Sequence, residues 1–576
     1  MKTVGKPLEE IHPWPNLLAM LKEAASTNMA RKAFTTVLPN GFSATLSFAE
    51  LDQLSDFFAA YLRMQLRLRK GDRVAVKLPN CQVWPVTVFG ILKAGCVAVN
   101  VNPLYTEHEL SHLLIDSGAK VLVVLDLFQG KLDAALPNSC VKTVVTASLA
   151  DFFPVHTAVA IRASLLLKKQ VGKTSAASTS ISNAIAHGKR HFRAAEPWKS
   201  GFWSEPAEHG PDTATTLSLE DLAVLQYTGG TTGTCKAAML THGNLIANIA
   251  QVREAGKERI RPGLEAMLGA LPLYHIFAFT VNALTFHSLG AHNVLVPSPR
   301  PITNLKGVLE RFQFTWITGV NTLFAALTRE PWFQQVKHPH LKVSIAGGMA
   351  LHKKTAADWE AITGNPVTEG YGLTEASPVV TLNPVVGGGK LGSIGIPLPA
   401  TEISIVDEEG NETVGTEPGE LLIHGPQVML GYWNQPGETS AVLQNGWLRT
   451  GDMGYCDEDG FVFLVDRKKD MILVSGFNIY PNEVEEVLVQ HKGVVEAAVI
   501  GVPDDVAGEQ IHAYVVRKDF ELTEADLKEH CKLYLTKYKI PKVFIFCTDL
   551  PKSNVGKVLR REVRAQAIAS VTRRTK

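Results

Sequence analysis

Arg73-Val-Ala-Val-Lys-Leu78 is a short β-branched run; a helical pattern over 83–93, a second run over 97–101, another helical pattern over 107–116 and Val121-Leu-Val-Val-Leu125 follow it in turn. Strands this short, alternating with helix-length segments, are the signature of parallel sheets covered by helices, so the fold class is α/β. The alternation resumes at Asp221. After about residue 391, glycine-punctuated strands over 403–406, 420–424 and 461–465 predict a small β-rich subdomain. The tail reads β, α, β, α, with an amphipathic pattern over 482–490 and a buried strand over 494–502, and has the makings of an independent unit. Asp466-Arg-Lys-Lys-Asp470, charged and placed just after a strand, is the expected boundary between 1–466 and 467–576. Between 151 and 200, eight basic residues face two acidic ones, and this stretch reads as an insertion forming a solvated surface excursion. Its apolar run 154–167, followed by Lys168 and Lys169, also suits a membrane interface.

A chain of 576 residues has room for about three or four compact units. Its 57 basic and 56 acidic residues give a net charge of +1, so no whole-chain field exists to gather nucleic acid. Composition that is 45% hydrophobic and 20% charged excludes disorder and collagen. Seven scattered cysteines without a C-x-x-C pair fit a reduced compartment. The polar first fifteen residues lack the apolar core of a signal peptide, and the apolar stretch 83–101 is broken by Pro85 and Lys93, so the expectation is a cytoplasmic protein.

The sharpest local signal follows the apolar strand 222–227. Thr228-Gly-Gly-Thr-Thr-Gly-Thr-Cys-Lys236 sets three glycines, four threonine hydroxyls and a lysine in one loop, the donors that phosphate oxygens need. It is not a Walker A loop, because Ala237 stands where Ser or Thr would follow the lysine and Cys235 where glycine would precede it. Gly172-Lys173-Thr174 and Gly556-Lys557 also lack the first glycine of that motif. His108-Glu109-Leu-Ser-His112 matches a zinc-protease pattern, but Thr106 three residues before Glu109 makes a capping box the competing reading. Glu369-Gly-Tyr-Gly-Leu-Thr-Glu375 flanks an aromatic with glycines, giving a flat base access to its face, and then offers a hydroxyl and a carboxylate for phosphate and Mg²⁺. Asp452 in Gly446-Trp-Leu-Arg-Thr-Gly-Asp452 is an acceptor suited to ribose hydroxyls. Lys557 follows a glycine turn in Pro551-Lys-Ser-Asn-Val-Gly-Lys557-Val-Leu-Arg-Arg561, a stretch that alone reads as a solvated basic helix.

Taken in order, these motifs resemble the AMP-forming acyl-CoA synthetases of the adenylate-forming superfamily, and most closely the bacterial long-chain fatty acid CoA ligases. Asn102-Pro-Leu-Tyr-Thr106, Leu271-Pro-Leu-Tyr-His-Ile276, Ile317-Thr-Gly-Val-Asn-Thr-Leu323 and the run 466–481 extend the likeness over nearly the whole chain. The resemblance implies a large N-terminal domain of two α/β sheets plus a β-barrel, and a small mobile C-terminal α/β domain. It implies ATP, Mg²⁺ and coenzyme A as cofactor and co-substrates, with a long-chain fatty acid activated to acyl-AMP plus pyrophosphate and then passed to the CoA thiol. Peripheral contact with the inner face of the cell membrane and a homodimer are further expectations of the likeness.

Carried over residue by residue, Tyr227, Thr228, Gly229, Gly230, Thr231, Thr232, Gly233, Thr234 and Lys236 would cradle phosphates. Tyr371 would stack on adenine beside Gly347, Gly348 and Gly370; Thr374 would touch the α-phosphate; Glu375 would hold Mg²⁺. Asp452 and Arg467 would bind ribose, and Lys557 would bridge the carboxylate and α-phosphate. Lys469 would mark a hinge that withdraws Lys557 and presents Gly476 to the pantetheine tunnel. His275, Phe279 and Val320 match positions near the acyl tunnel, although a packed core aromatic also accounts for Phe279. Ala237 replaces the family's usual glycine, which would strain the loop if that position needs a positive φ. A medium-chain, aryl-acid or acyl-carrier ligase of the same superfamily, and a non-catalytic nucleotide- or acyl-binding homologue, are the competing functions.

Overall fold

The helix Val83–Lys93 is buried along its entire length, which explains why its sequence shows no polar face. It lies between two sheets. Trp84 meets Phe279 edge-on at 5.6 Å, and Phe89 meets Phe34 of the second sheet at 6.2 Å. The computed structural model describes residues 2–172, 174–192, 202–204, 214–228, 235–474, 477–504, 507–518, 520–553 and 556–574.

The first sheet has seven strands in the spatial order Lys236–Thr241, Leu222–Thr228, Val97–Asn100, Arg73–Lys77, Val121–Leu125, Thr143–Ala147, Ser178–Ser180. All neighbours are parallel except the first pair, whose connection is the glycine-threonine loop. The second sheet has nine strands, with the parallel run Val367–Gly372, Val343–Ala346, Trp316–Gly319, Ala266–Gly269, His292–Leu295 and Lys32–Val37 at its centre. Asn80 ties the two halves: its Nδ2 donates to the Gly269 and Leu271 carbonyls, and its Oδ1 accepts from Leu273 N. Parallel strands place their carboxyl ends on one side of a sheet, where ligands of open α/β sheets bind.

The β-rich segment expected after 391 is a six-stranded antiparallel sheet containing Glu402–Val406, Gly419–His424, Trp447–Cys456 and Val462–Arg467. It also recruits Lys2–Val4, which pairs with the strand Glu402–Val406 from the far end of the chain. A five-stranded sheet with its own apolar core follows, built on the pair Val494–Asp504 and Gly508–Arg517.

The insertion departs from its expected form. Among its described residues, the helix Val155–Leu167 behaves as a surface excursion, exposing Val155, Val159, Leu166 and Leu167. Ser178–Ser180 extends the first sheet, and the helix Ile181–His191 buries Ile181, Ala184, Ile185 and Gly188. Gly188 allows this packing: a Cβ there would fall 1.7 Å from the Phe57 carbonyl oxygen. Basic residues on the outer face concealed that small inner stripe. Among the described residues, no helix is long and apolar enough to cross a membrane.

Candidate active site

Strand ends from both sheets open onto two adjoining cavities of about 970 and 620 Å³. Their shared wall carries Thr228, His275, Gly348, Gly370, Tyr371, Thr374, Asp452, Arg467, Lys469 and Lys557, so residues spread over 330 positions of sequence meet in one place.

Tyr371 stands on the strand Val367–Gly372, paired with Thr381. Its hydroxyl donates to Asp452 Oδ2 at 2.6 Å, and Arg467 Nε lies 3.2 Å from Asp452 Oδ1. Asp452 and Arg467 are themselves ladder partners, so the ion pair is set by strand register. A hydrogen bond to a charged group contributes about 1.5–3 kcal/mol, enough to hold the tyrosine ring in one orientation. Burial and then the Asp452 carboxylate push the Tyr371 hydroxyl well above its usual range. Burial opposes the charge on Arg467, but the Asp452 carboxylate overrides it and keeps the guanidinium firmly protonated.

The glycines beside this ring keep the wall open. A Cβ on Gly347 would come within 3.2 Å of the Phe277 ring and 3.4 Å of the Gly370 oxygen, while Gly348 has φ of +79°. Val320 lines the smaller cavity with Val252, Phe277, Val281, Ile345 and Leu382, giving that cavity an apolar wall. Phe279 instead sits in the core behind it, against Trp84, as the packed-aromatic reading has it. Burial, with Lys557 nearby, lowers His275 to about 4, so this imidazole is neutral near pH 7.

Thr374 and Glu375 form a short 3₁₀ turn. Tyr432 OH donates to Glu375 Oε1 at 2.7 Å, and Lys236 Nζ lies 5.4 Å from the Tyr432 ring centroid while pairing with Glu438. The second Glu375 oxygen has no protein donor among the described residues and its residue lines the cavity, a donor set that fits Mg²⁺. Gly229, Gly230, Thr231, Thr232, Gly233, Thr234 and Gly476 lie outside the described residues.

Two details bear on the phosphate loop. The Tyr227 hydroxyl donates to Asp116 Oδ2 at 2.5 Å, and its backbone pairs with Ala237. Ala237 is a strand residue paired with Tyr227 and is absent from the positive-φ positions, which removes the reason to expect strain. The zinc-protease pattern resolves as the capping box: Glu109 N donates to Thr106 Oγ1, and Thr106 N donates to Glu109 Oε2 at 2.8 Å.

Lys557 reaches the wall from the C-terminal unit, on a hairpin closed by Ser553 N to Lys557 O at 2.7 Å and Leu559 N to Pro551 O at 2.8 Å. Burial, then the Arg467 charge, lowers its ammonium to about 8. Lys469 is lowered for the same two reasons.

Tyr432 and Glu438 escaped the sequence reading because Gly431-Tyr-Trp433 carries no spacing that marks chemistry. Glu369 escaped as well: it is buried at the cavity wall and raised by that burial to about 7. The glycine-flanked Tyr371 drew the chemical reading of that motif to its second half.

Residues 21–433 match the family described as AMP-binding enzyme, and 483–557 match its C-terminal domain. The chain belongs to this family of adenylate-forming enzymes. A long-chain-fatty-acid–CoA ligase of Escherichia coli O157:H7 is 43% identical over 98% of this chain and 97% of its own length. One from Bacillus subtilis is 39% identical over 88% of this chain and 87% of its own. Among solved structures, ATP-bound MatB from Rhodopseudomonas palustris superposes with a TM-score of 0.79 at 29% identity, covering 96% of this chain and 98% of that one.

Proposed function

We propose that this protein is an AMP-forming long-chain fatty acid–CoA ligase. A fatty carboxylate oxygen attacks the α-phosphorus of ATP, forming acyl-AMP as the bond to pyrophosphate breaks. The CoA thiol sulfur then attacks the acyl carbon, forming the thioester; AMP leaves and the thiol proton passes to solvent.

The observation that carries this reading is a single cavity lined both by apolar Val252, Phe277, Val281 and Leu382 and by polar Thr374, Glu375, Asp452 and Lys557. An acyl chain occupies the apolar side and the nucleotide the polar one. Tyr371, held by Asp452, offers its ring to adenine; Asp452 and Arg467 face the ribose; Thr374 meets the α-phosphate. Lys557 places an ammonium where negative charge gathers as carboxylate and phosphate approach, a contribution of about 10² to 10³ in rate. Glu375 would hold Mg²⁺, which neutralises the phosphates when bound. Because the leaving group is pyrophosphate, the glycine-threonine loop must hold the β and γ phosphates and leave the α-phosphorus open, which accounts for its departure from Walker A.

The names of the curated relatives support long-chain acids as substrate. Measuring AMP and thioester formation across saturated acids of increasing length tests it. Activity peaking at long chains is expected; activity confined to short or aryl acids would reject the substrate and keep the chemistry, and ATP binding without turnover on any acid would point to a binding protein.

A further inference from the structure

Arg560 opens the helix Arg560–Arg574, three residues beyond Lys557, so the hairpin that presents the lysine runs directly into it. From sequence it reads as the first residue of a solvated basic helix, yet its side chain is only 16% exposed. Nε donates to Glu485 Oε1 at 2.8 Å, and Nη2 to Glu485 Oε2 at 2.6 Å. Nη1 donates to Asp466 Oδ1 at 3.0 Å, and Nη2 also reaches Asn482 Oδ1. Burying a guanidinium is costly unless it is paired, and a planar fork meeting two carboxylates is a geometry lysine cannot reproduce.

Asp466 opens the charged stretch 466–470, and Glu485 lies beyond it. Glu485 belongs to the helix Pro481–Gln490 of the C-terminal unit, where its Oε1 also accepts from Val499 N at 2.7 Å. Asp466 belongs to the strand Val462–Arg467 of the antiparallel sheet, and its side chain is 1% exposed. Its Oδ1 also accepts from Arg467 N at 2.8 Å, and Arg467 is the residue that meets Asp452, the acceptor of the Tyr371 hydroxyl. One run of polar contacts therefore leads from the aromatic wall to the root of the Lys557 hairpin.

We propose that Arg560 is a positioning residue for acid activation: by bonding Asp466 and Glu485 at once, it fixes the Lys557 hairpin against the nucleotide wall. The inference rests on the assignment of Lys557 to acyl-AMP formation. The Glu485 contact lies within the C-terminal unit and travels with it, whereas the Asp466 contact crosses to the antiparallel sheet. Loosening the crossing contact lowers the population with Lys557 in place, which slows the first step and leaves the second free to proceed.

The test compares full-length wild type, Arg560→Ala, Arg560→Lys, Asp466→Asn and Lys557→Ala in two separated half-reactions: pyrophosphate release from ATP and acid without CoA, and acyl-CoA formation from supplied acyl-AMP. Arg560→Ala should lower kcat for pyrophosphate release by about 10- to 100-fold, with the KM for ATP and the second half-reaction within about threefold of wild type. Arg560→Lys should recover part of the loss, and Asp466→Asn should show the same selectivity at smaller size. If Arg560→Ala does not fold, the other two variants carry the same split. Equal loss of both half-reactions, or an unaffected first step, would overturn the proposal. If Lys557→Ala also leaves the first step intact, the reading of Lys557 falls with it; if only Lys557→Ala loses that step, the fault lies with Arg560 alone.

Discussion

Tyr371 and Asp452 reach the cavity from within sheets, each fixed by a ladder partner, Thr381 and Arg467 respectively. Lys557 arrives on a hairpin whose unit touches the rest of the molecule through scattered side-chain bonds. Thr322 Oγ1 donates to the Gly556 carbonyl at 3.3 Å, Arg329 Nη2 to the Val495 carbonyl at 3.2 Å, and His352 Nδ1 pairs with Glu486 at 2.9 Å. These three contribute about 0.5–1.5 kcal/mol each, whereas the crossing pair of Arg560 with Asp466 is buried. Moving Tyr371 would mean breaking strand pairing; moving Lys557 means trading a few polar contacts. Under the proposed function, a site built in this way would keep its nucleotide wall constant while the lysine assigned to the first step moves in and out.

That contrast is open to attack from both sides, beginning with the fixed wall. Glu375→Gln removes the carboxylate charge assigned to Mg²⁺ and should lower pyrophosphate release by about 10²-fold, with a higher Mg²⁺ requirement. Unchanged release at low Mg²⁺ would dissociate Glu375 from the metal. A smaller, graded effect concerns the delivered lysine. Its ammonium sits at about 8, facing Arg467, Arg560, Asp452 and Asp470, with His275 already neutral beside it. The charge is present below that value and lost above it, so kcat/KM for acyl-AMP formation should hold level up to about pH 8 and fall about tenfold per unit beyond it. Acyl transfer from supplied acyl-AMP should lack that falling limb; a shared limb would mean that both steps use the same charge.

Much of the fold was legible because parallel strands are bounded by turns and helices, and the alternation from Arg73 to Leu125 leaves few other arrangements. The meeting of Tyr371, Asp452, Arg467 and Lys557 was reached through resemblance, since nothing local joins residues this far apart. What stayed hidden depended on long-range partners. Lys2–Val4 looks like any polar terminus until the strand Glu402–Val406 pairs with it, and the helix Ile181–His191 looks solvated until Gly188 meets the Phe57 carbonyl. Tyr432 carries no chemical signature until Glu375 and Lys236 converge on it. Arg560 was misjudged for the same reason: a basic residue at a helix start is usually wet, and only Asp466 and Glu485 make this one buried.

The central claim is that Lys557 is a removable part serving one of two steps at a shared site. The most direct measurement is the pair of single-turnover rates, acyl-AMP formation and acyl transfer from supplied acyl-AMP to CoA, in wild type and Lys557→Ala. The account predicts that the first rate falls by about 10² to 10³ while the second stays close to wild type; comparable loss of both, or survival of the first, would contradict it.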